Sequence, residues 1–121
     1  MIVAGFGFRG AAQLPSLRAA LAMAQFGQPP VEALATAADK APALAALAKA
    51  LALPLIAVAP DAICRIATPT NSPASMAARG TGSMAEAAAL AAAGGGARLL
   101  STRHISPDRM ASCAIAEGVS P

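Results

Sequence analysis

Residues 31–58, VEALATAADKAPALAALAKALALPLIAV, carry three elements in a row. Val31 to Thr36 reads as a strand. Asp39-Lys40-Ala41-Pro42 opens a helix, with proline in the first turn, where its missing N–H costs nothing. Leu44, Leu47, Ala48 and Leu51 recur at i, i+3, i+4 and i+7, the spacing of one helical face. Pro54 and Pro60 then bound Leu55 to Val58, an apolar run that reads as a buried strand. Strand, helix and strand in succession point to an α/β fold.

The flanks extend the alternation. Upstream, Ile2 to Ala4 reads as a short buried strand, followed by a glycine loop, Gly5-Phe6-Gly7-Phe8-Arg9-Gly10. The next helix spans about Pro15 to Phe26, with Leu14, Leu17 and Leu21 on one face and Gly27 closing it. Downstream, Ile63 to Ile66 fits a strand or a short helix, and Thr68 to Ser75 reads as a polar loop. Ser83 and Glu86 form the S-x-x-E capping box of a largely alanine helix that Gly94-Gly95-Gly96 stops. Leu99-Leu100 and Ala111 to Ala116 flank the turn Ser106-Pro107-Asp108 and read as a terminal strand pair. The expected architecture is an α/β single-domain sandwich over residues 1–121, with helices packed around a mixed β-sheet.

Composition narrows the function classes. Of 121 residues 36 are alanine, so a hydrophobic fraction of 56% reflects closely packed helices rather than an oily chain. The longest strongly apolar uncharged stretch, Ala50 to Ala59, contains Pro54 and falls short of the roughly 20 residues a membrane span needs. The opening has no basic segment of a signal peptide, so a cytoplasmic location without membrane partners is expected. Cys64 and Cys113 lack CxxC spacing and are expected to be reduced, buried thiols. The net charge of +3, with seven arginines among nine basic residues, suits a small anionic ligand. Without a basic run, Trp or Tyr, no nucleic-acid partner is expected. A single histidine, His104, and scattered acids give no metal-ligand spacing, and no serine sits in a G-x-S-x-G elbow.

Two glycine segments compete for a site. Gly5-x-Gly7-x-x-Gly10 matches the dinucleotide fingerprint by letter, but Pro15 delays the helix that should receive the pyrophosphate. Glu32 and Asp39 are each misplaced for the ribose, so no NAD or other cofactor is expected. The remaining readings are a tight turn, or backbone amides beside Arg9 that meet a carboxylate. The second segment, Gly80-Thr81-Gly82-Ser83, stands at a helix start, where free N–H groups and the dipole favour an anion. Either an anion sits there or Ser83 and Glu86 close the cap on themselves. Glu86 reads first as a cap and second as a general base. Lys40 stands at a strand-to-helix junction, a common place for ligand contacts.

Four segments together resemble the CobE/CbiG C-terminal domain family of cobalamin (vitamin B12) biosynthesis, in that family's order: VAGFGFRG, ALATAADKAP, TPTNSPASMAARGTGSMAEAAALAAAG and ARLLSTR with SCAIA. Met84 stands where valine is usual and Arg103 where lysine is common. The resemblance implies a polycarboxylate tetrapyrrole or corrin intermediate as partner. It implies Gly7, Arg9, Lys40, Asn71, Gly80, Thr81, Gly82, Ser83, Glu86 and Arg103 as ligand-binding residues. In the longer CbiG proteins the domain is joined to N-terminal regions and the whole opens a lactone on the ring. Without those regions the chain is expected to resemble free-standing CobE, with no catalytic residue assignable and Glu86 the nearest candidate. Three readings follow: a corrin-precursor binding protein, a cobalt-precorrin lactone hydrolase or its partner subunit, and a non-catalytic subunit serving another corrin-pathway enzyme.

Overall fold

A computed structural model describes residues 1–118, apart from the side chains at 74, 78 and 79. The elements run β1 (Ile2–Phe8), α1 (Leu14–Gln25), β2 (Ala33–Ala37), a 3-10 turn (Ala38–Lys40), α2 (Ala41–Leu51), β3 (Leu55–Val58), α3 (Pro60–Cys64), α4 (Pro73–Arg79), α5 (Met84–Ala93), β4 (Arg98–Ile105) and β5 (Ala111–Glu117). The five strands form one sheet in the order β3-β2-β1-β5-β4. Pairs β1–β2 and β2–β3 are parallel, whereas β1–β5 and β4–β5 are antiparallel, so the sheet is mixed as expected.

Alternation along the strands builds a layer on each face. Ala4 and Phe6 join Leu34, Cys113 and Ile115 against Leu17 and Leu21 of α1 and Leu44 and Leu47 of α2. Val3, Ala33, Ala35, Ala37 and Val58 face Ala87 and Ala88 of α5 and Ile63 of α3. Leu44, Leu47 and Ala48 of α2 therefore bury as their spacing predicts, with Leu51 half-buried at the end of the same face. Among the described residues no helix is long and apolar enough to cross a membrane.

Four local readings are corrected. The first glycine segment is not a loop: β1 continues through Gly5, Phe6, Gly7 and Phe8, and none of these glycines has a positive φ. Close packing explains them. A methyl at Gly5 would collide with the Ala85 carbonyl oxygen and the Ala89 amide of α5, and one at Gly7 would meet Met84 Cβ at 3.0 Å. Two of the three fingerprint glycines, Gly5 and Gly7, thus lie inside a strand and only Gly10 lies in the turn beyond it, so the pyrophosphate turn they would form together does not exist. The strand β3 lies at the sheet edge and is only partly buried, because nothing pairs with its outer side. Residues 73–79 leave the expected polar loop to form α4, where Ser72 Oγ accepts from Ser75 N and Pro73 occupies the first turn. Cys113 is buried but Cys64 is exposed, since the short α3 turns only Ile63 into the core.

The ends of the domain close on each other. Ile2 pairs with Glu117 and Phe8 with Ala111, and the Gly118 N–H donates to the Met1 carbonyl at 2.9 Å.

Candidate functional site

The carboxyl end of β1 meets the β4–β5 turn and the first turns of α4 and α5. Between them lies a cavity of about 360 Å³, open to solvent. Its wall comprises Gly7, Phe8 and Arg9 from β1, Ser72 and Ser75 beside α4, and Met84 from α5. Arg103 and Ile105 of β4 and residues 109–112 of the turn complete it. The strand-end position is the usual one for ligand sites in α/β sheets. Among the described residues none of the guanidiniums of Arg9, Arg103 and Arg109 is in an ion pair with an acidic side chain, and the wall itself contains no Asp or Glu. Three uncompensated cations around one recess favour an anionic guest.

The β4–β5 turn places two of the arginines and a buried carboxylate the third. Arg9 follows β1; its N–H donates to the Met110 carbonyl at 2.9 Å and its Nε to the Arg109 carbonyl at 3.4 Å. Arg103 is fixed from beneath, because its N–H donates to Glu86 Oε2 at 2.8 Å. Arg109 ends a turn in which its N–H donates to the Ser106 carbonyl at 2.8 Å, and it adopts a left-handed φ of 62°. Asp108 ties that turn together: Oδ1 accepts from Ser106 Oγ at 2.6 Å and Met110 N at 3.1 Å, and Oδ2 accepts from Ser16 Oγ of α1. These hydrogen bonds, chiefly those from Ser106 and Ser16, hold the Asp108 carboxyl below the usual carboxylate range.

Of the residues named from sequence, Gly7, Arg9 and Arg103 come together on the cavity wall. Lys40 is not a wall residue; its ammonium lies 5.4 Å from the ring centroid of Phe8, which is. Asn71 is exposed beside Ser72. The second glycine segment does not open outward as expected. Thr81, Gly82 and Ser83 are buried, and a methyl at Gly82 would strike the Thr70 carbonyl and come within 2.8 Å of Thr68 Oγ1. The Ser72 N–H also donates to the Gly82 carbonyl at 2.8 Å, so the loop at 68–72 lies directly on this backbone. Gly80 alone of the four is exposed.

The capping box forms by half. Ser83 Oγ accepts from Glu86 N at 3.3 Å, but Ser83 N donates to Thr81 Oγ1 at 3.4 Å instead of to Glu86. The Glu86 side chain is fully buried and points away from the cap. Its Oε1 accepts from Thr70 N at 3.0 Å, and its Oε2 from Thr70 Oγ1 and Arg103 N, both at 2.8 Å. Both oxygens are thus engaged by the chain, and the side chain is shielded from solvent. His104 is held at one ring nitrogen, with Nδ1 2.8 Å from the Thr102 carbonyl and 3.2 Å from Ser101 Oγ. Burial pushes the Cys113 thiol well above its ordinary range, so it is no nucleophile.

Sequence reasoning missed Arg109 and the serine rim. Arg109 had a signal, an arginine at the tip of a turn between two strands, which turn statistics alone would not distinguish from a solvated residue.

Fold and cavity together define a small three-layer α/β domain with an arginine-walled mouth at one strand end. The chain belongs to the family described as Cobalamin synthesis G C-terminus, which matches residues 2–116. It is similar to CobE, a protein from the cobalamin biosynthetic pathway, at 32% identity and a TM-score of 0.84, covering 100% of this chain and 92% of that one. It is also similar to the cobalamin biosynthesis protein chiG from Agrobacterium tumefaciens, at 36% identity and a TM-score of 0.76, covering 99% and 100%. No curated protein sequence matches it. The chain is therefore a cobalamin-biosynthesis protein related to CobE and the CbiG C-terminal domain.

Proposed function

We propose that the domain binds a polycarboxylate tetrapyrrole of the corrin pathway and holds it for the enzymes that act on it. One observation carries the reading: Arg9, Arg103 and Arg109 surround one open cavity with no acidic wall residue to neutralise them. Corrin precursors bear acetate and propionate side chains, and guanidinium forks match carboxylates in shape as well as charge. Family membership supplies the pathway, and the arginine-lined cavity supports an anionic chemical class for the ligand. A binding role is favoured over hydrolysis because Glu86, the nearest candidate base, has both oxygens occupied.

The test is a visible-spectrum titration of hydrogenobyrinic acid with the purified protein. Binding should shift the spectrum, and Arg9→Glu should weaken it by about tenfold or more, as loss of a charged hydrogen bond does. Equal affinity in the charge-reversed variant would remove the cavity from the reading.

A further inference from the structure

The cavity of about 360 Å³ is open to solvent and too small to enclose a whole tetrapyrrole with its side chains. We infer that it takes only the ligand's rim: Arg109 completes a three-arginine clasp for neighbouring carboxylates, Asp108 positions Arg109, and the ring plane stays outside. The polyacid's identity as a tetrapyrrole rests on the proposed function; the clasp itself does not.

The β4–β5 turn is built for this. Pro107 occupies its second position, the Arg109 N–H closes it onto the Ser106 carbonyl, and Ser106 N donates to the Ala111 carbonyl at 2.8 Å. In hairpin loops of this kind the residue after the turn adopts a left-handed conformation that glycine takes at least cost. Here an arginine holds it, at φ 62°. The backbone gains nothing from that choice, so the side chain is what the position supplies. The carboxylate of Asp108 compensates by gripping Ser106, Met110 and, across to α1, Ser16. The same turn receives both the main-chain N–H and the Nε of Arg9, so two of the three guanidiniums are mounted on one rigid tip. Arg103 faces them from β4, anchored through Glu86. Ser72 and Ser75 add neutral polar residues to the same wall.

The experiment titrates the full chain with tricarballylate, a propane backbone with one carboxylate on each carbon, by calorimetry, with acetate as control, and with hydrogenobyrinic acid by absorbance. Tricarballylate should bind, acetate should not, and tricarballylate should compete with the macrocycle. Arg109→Gly suits the left-handed backbone, so it should melt no lower than wild type, yet lose about tenfold to a hundredfold in affinity for both ligands. Asp108→Ala should weaken binding too, and the double variant should bind no worse than Arg109→Gly alone. That non-additivity would not arise if Asp108 served only stability. Arg109→Gly binding either ligand with wild-type affinity overturns the clasp, and if the macrocycle is still bound the proposed function survives without it. Tricarballylate binding that needs Arg109, with no spectral change in hydrogenobyrinic acid, supports the clasp and overturns the proposed function.

Discussion

Replacing Glu86 by glutamine keeps the volume and removes one acceptor oxygen from a sealed site. The carboxylate receives three donors: Thr70 N at 3.0 Å on one oxygen, and Thr70 Oγ1 and Arg103 N at 2.8 Å each on the other. A glutamine amide can point its oxygen at Thr70 Oγ1 and Arg103 N, but its NH2 then confronts the Thr70 N–H. Turned the other way, it confronts the Arg103 N–H. Either orientation leaves one backbone donor unmet in a place where the side chain is wholly shielded from water. Such a group costs about 1–3 kcal/mol. For a chain of this length about 1 kcal/mol lowers the melting temperature by roughly 4 °C, so Glu86→Gln should melt about 4–12 °C below wild type. Thermal unfolding followed by circular dichroism measures this directly. Melting within about 1 °C of wild type would refute the assignment of Glu86 as a structural acceptor. Unchanged melting together with lost ligand binding would return the carboxylate to the site.

Two further perturbations follow from the packing and the turn. Gly5→Ala places a methyl against the Ala85 carbonyl and the Ala89 amide, backbone atoms that cannot yield, and should cost about 3 kcal/mol or more in urea unfolding. Gly10→Ala, with nothing within 4 Å of the new methyl, is the control and should unfold close to wild type. Asp108 titrates below its ordinary 3.8 in the fold, so its contribution is complete above that value and disappears as the pH falls through the lower, folded-state one. Wild type should therefore be more stable than Asp108→Asn at neutral pH and converge on it as the pH falls through the lowered, folded-state value. A gap that persists in acid would show that the carboxylate charge plays no part.

The leucine spacing in 44–51 and the prolines around 55–58 made α2 and β3 legible, because both signals are local and tolerate no other element. The terminal hairpin was equally plain from Ser106-Pro107-Asp108. The glycines of β1 misled for a physical reason: in sequence a Gly-x-Gly looks like a turn, whereas these residues are small to admit α5, a partner nearly eighty residues away. Glu86 shows the same limit. Its place three residues after Ser83 announces a capping box, but Thr70 and Arg103 offer three better donors that only the tertiary fold brings near. Arg9 and Arg103 were picked out by resemblance, and Gly7 with them. Arg109 escaped because its significance lies in a backbone angle, which no residue type declares.

The seam between Met1 and Gly118 has a practical corollary. Strands β1 and β5 start or finish there and the chain runs some seven or eight residues before reaching Arg9 and Arg109, a span of roughly 25 Å at the usual rise per residue. An affinity handle or a fused module attached at Met1 would thus be carried on the pole remote from the mouth. The two poles could be engineered independently, one for tethering and one for recognition. Joining residue 118 back to Met1 through a linker that takes in residues 119–121, with a fresh opening cut in the exposed Gly94–Gly96 corner, would be a natural circular permutant that leaves the recognition pole untouched.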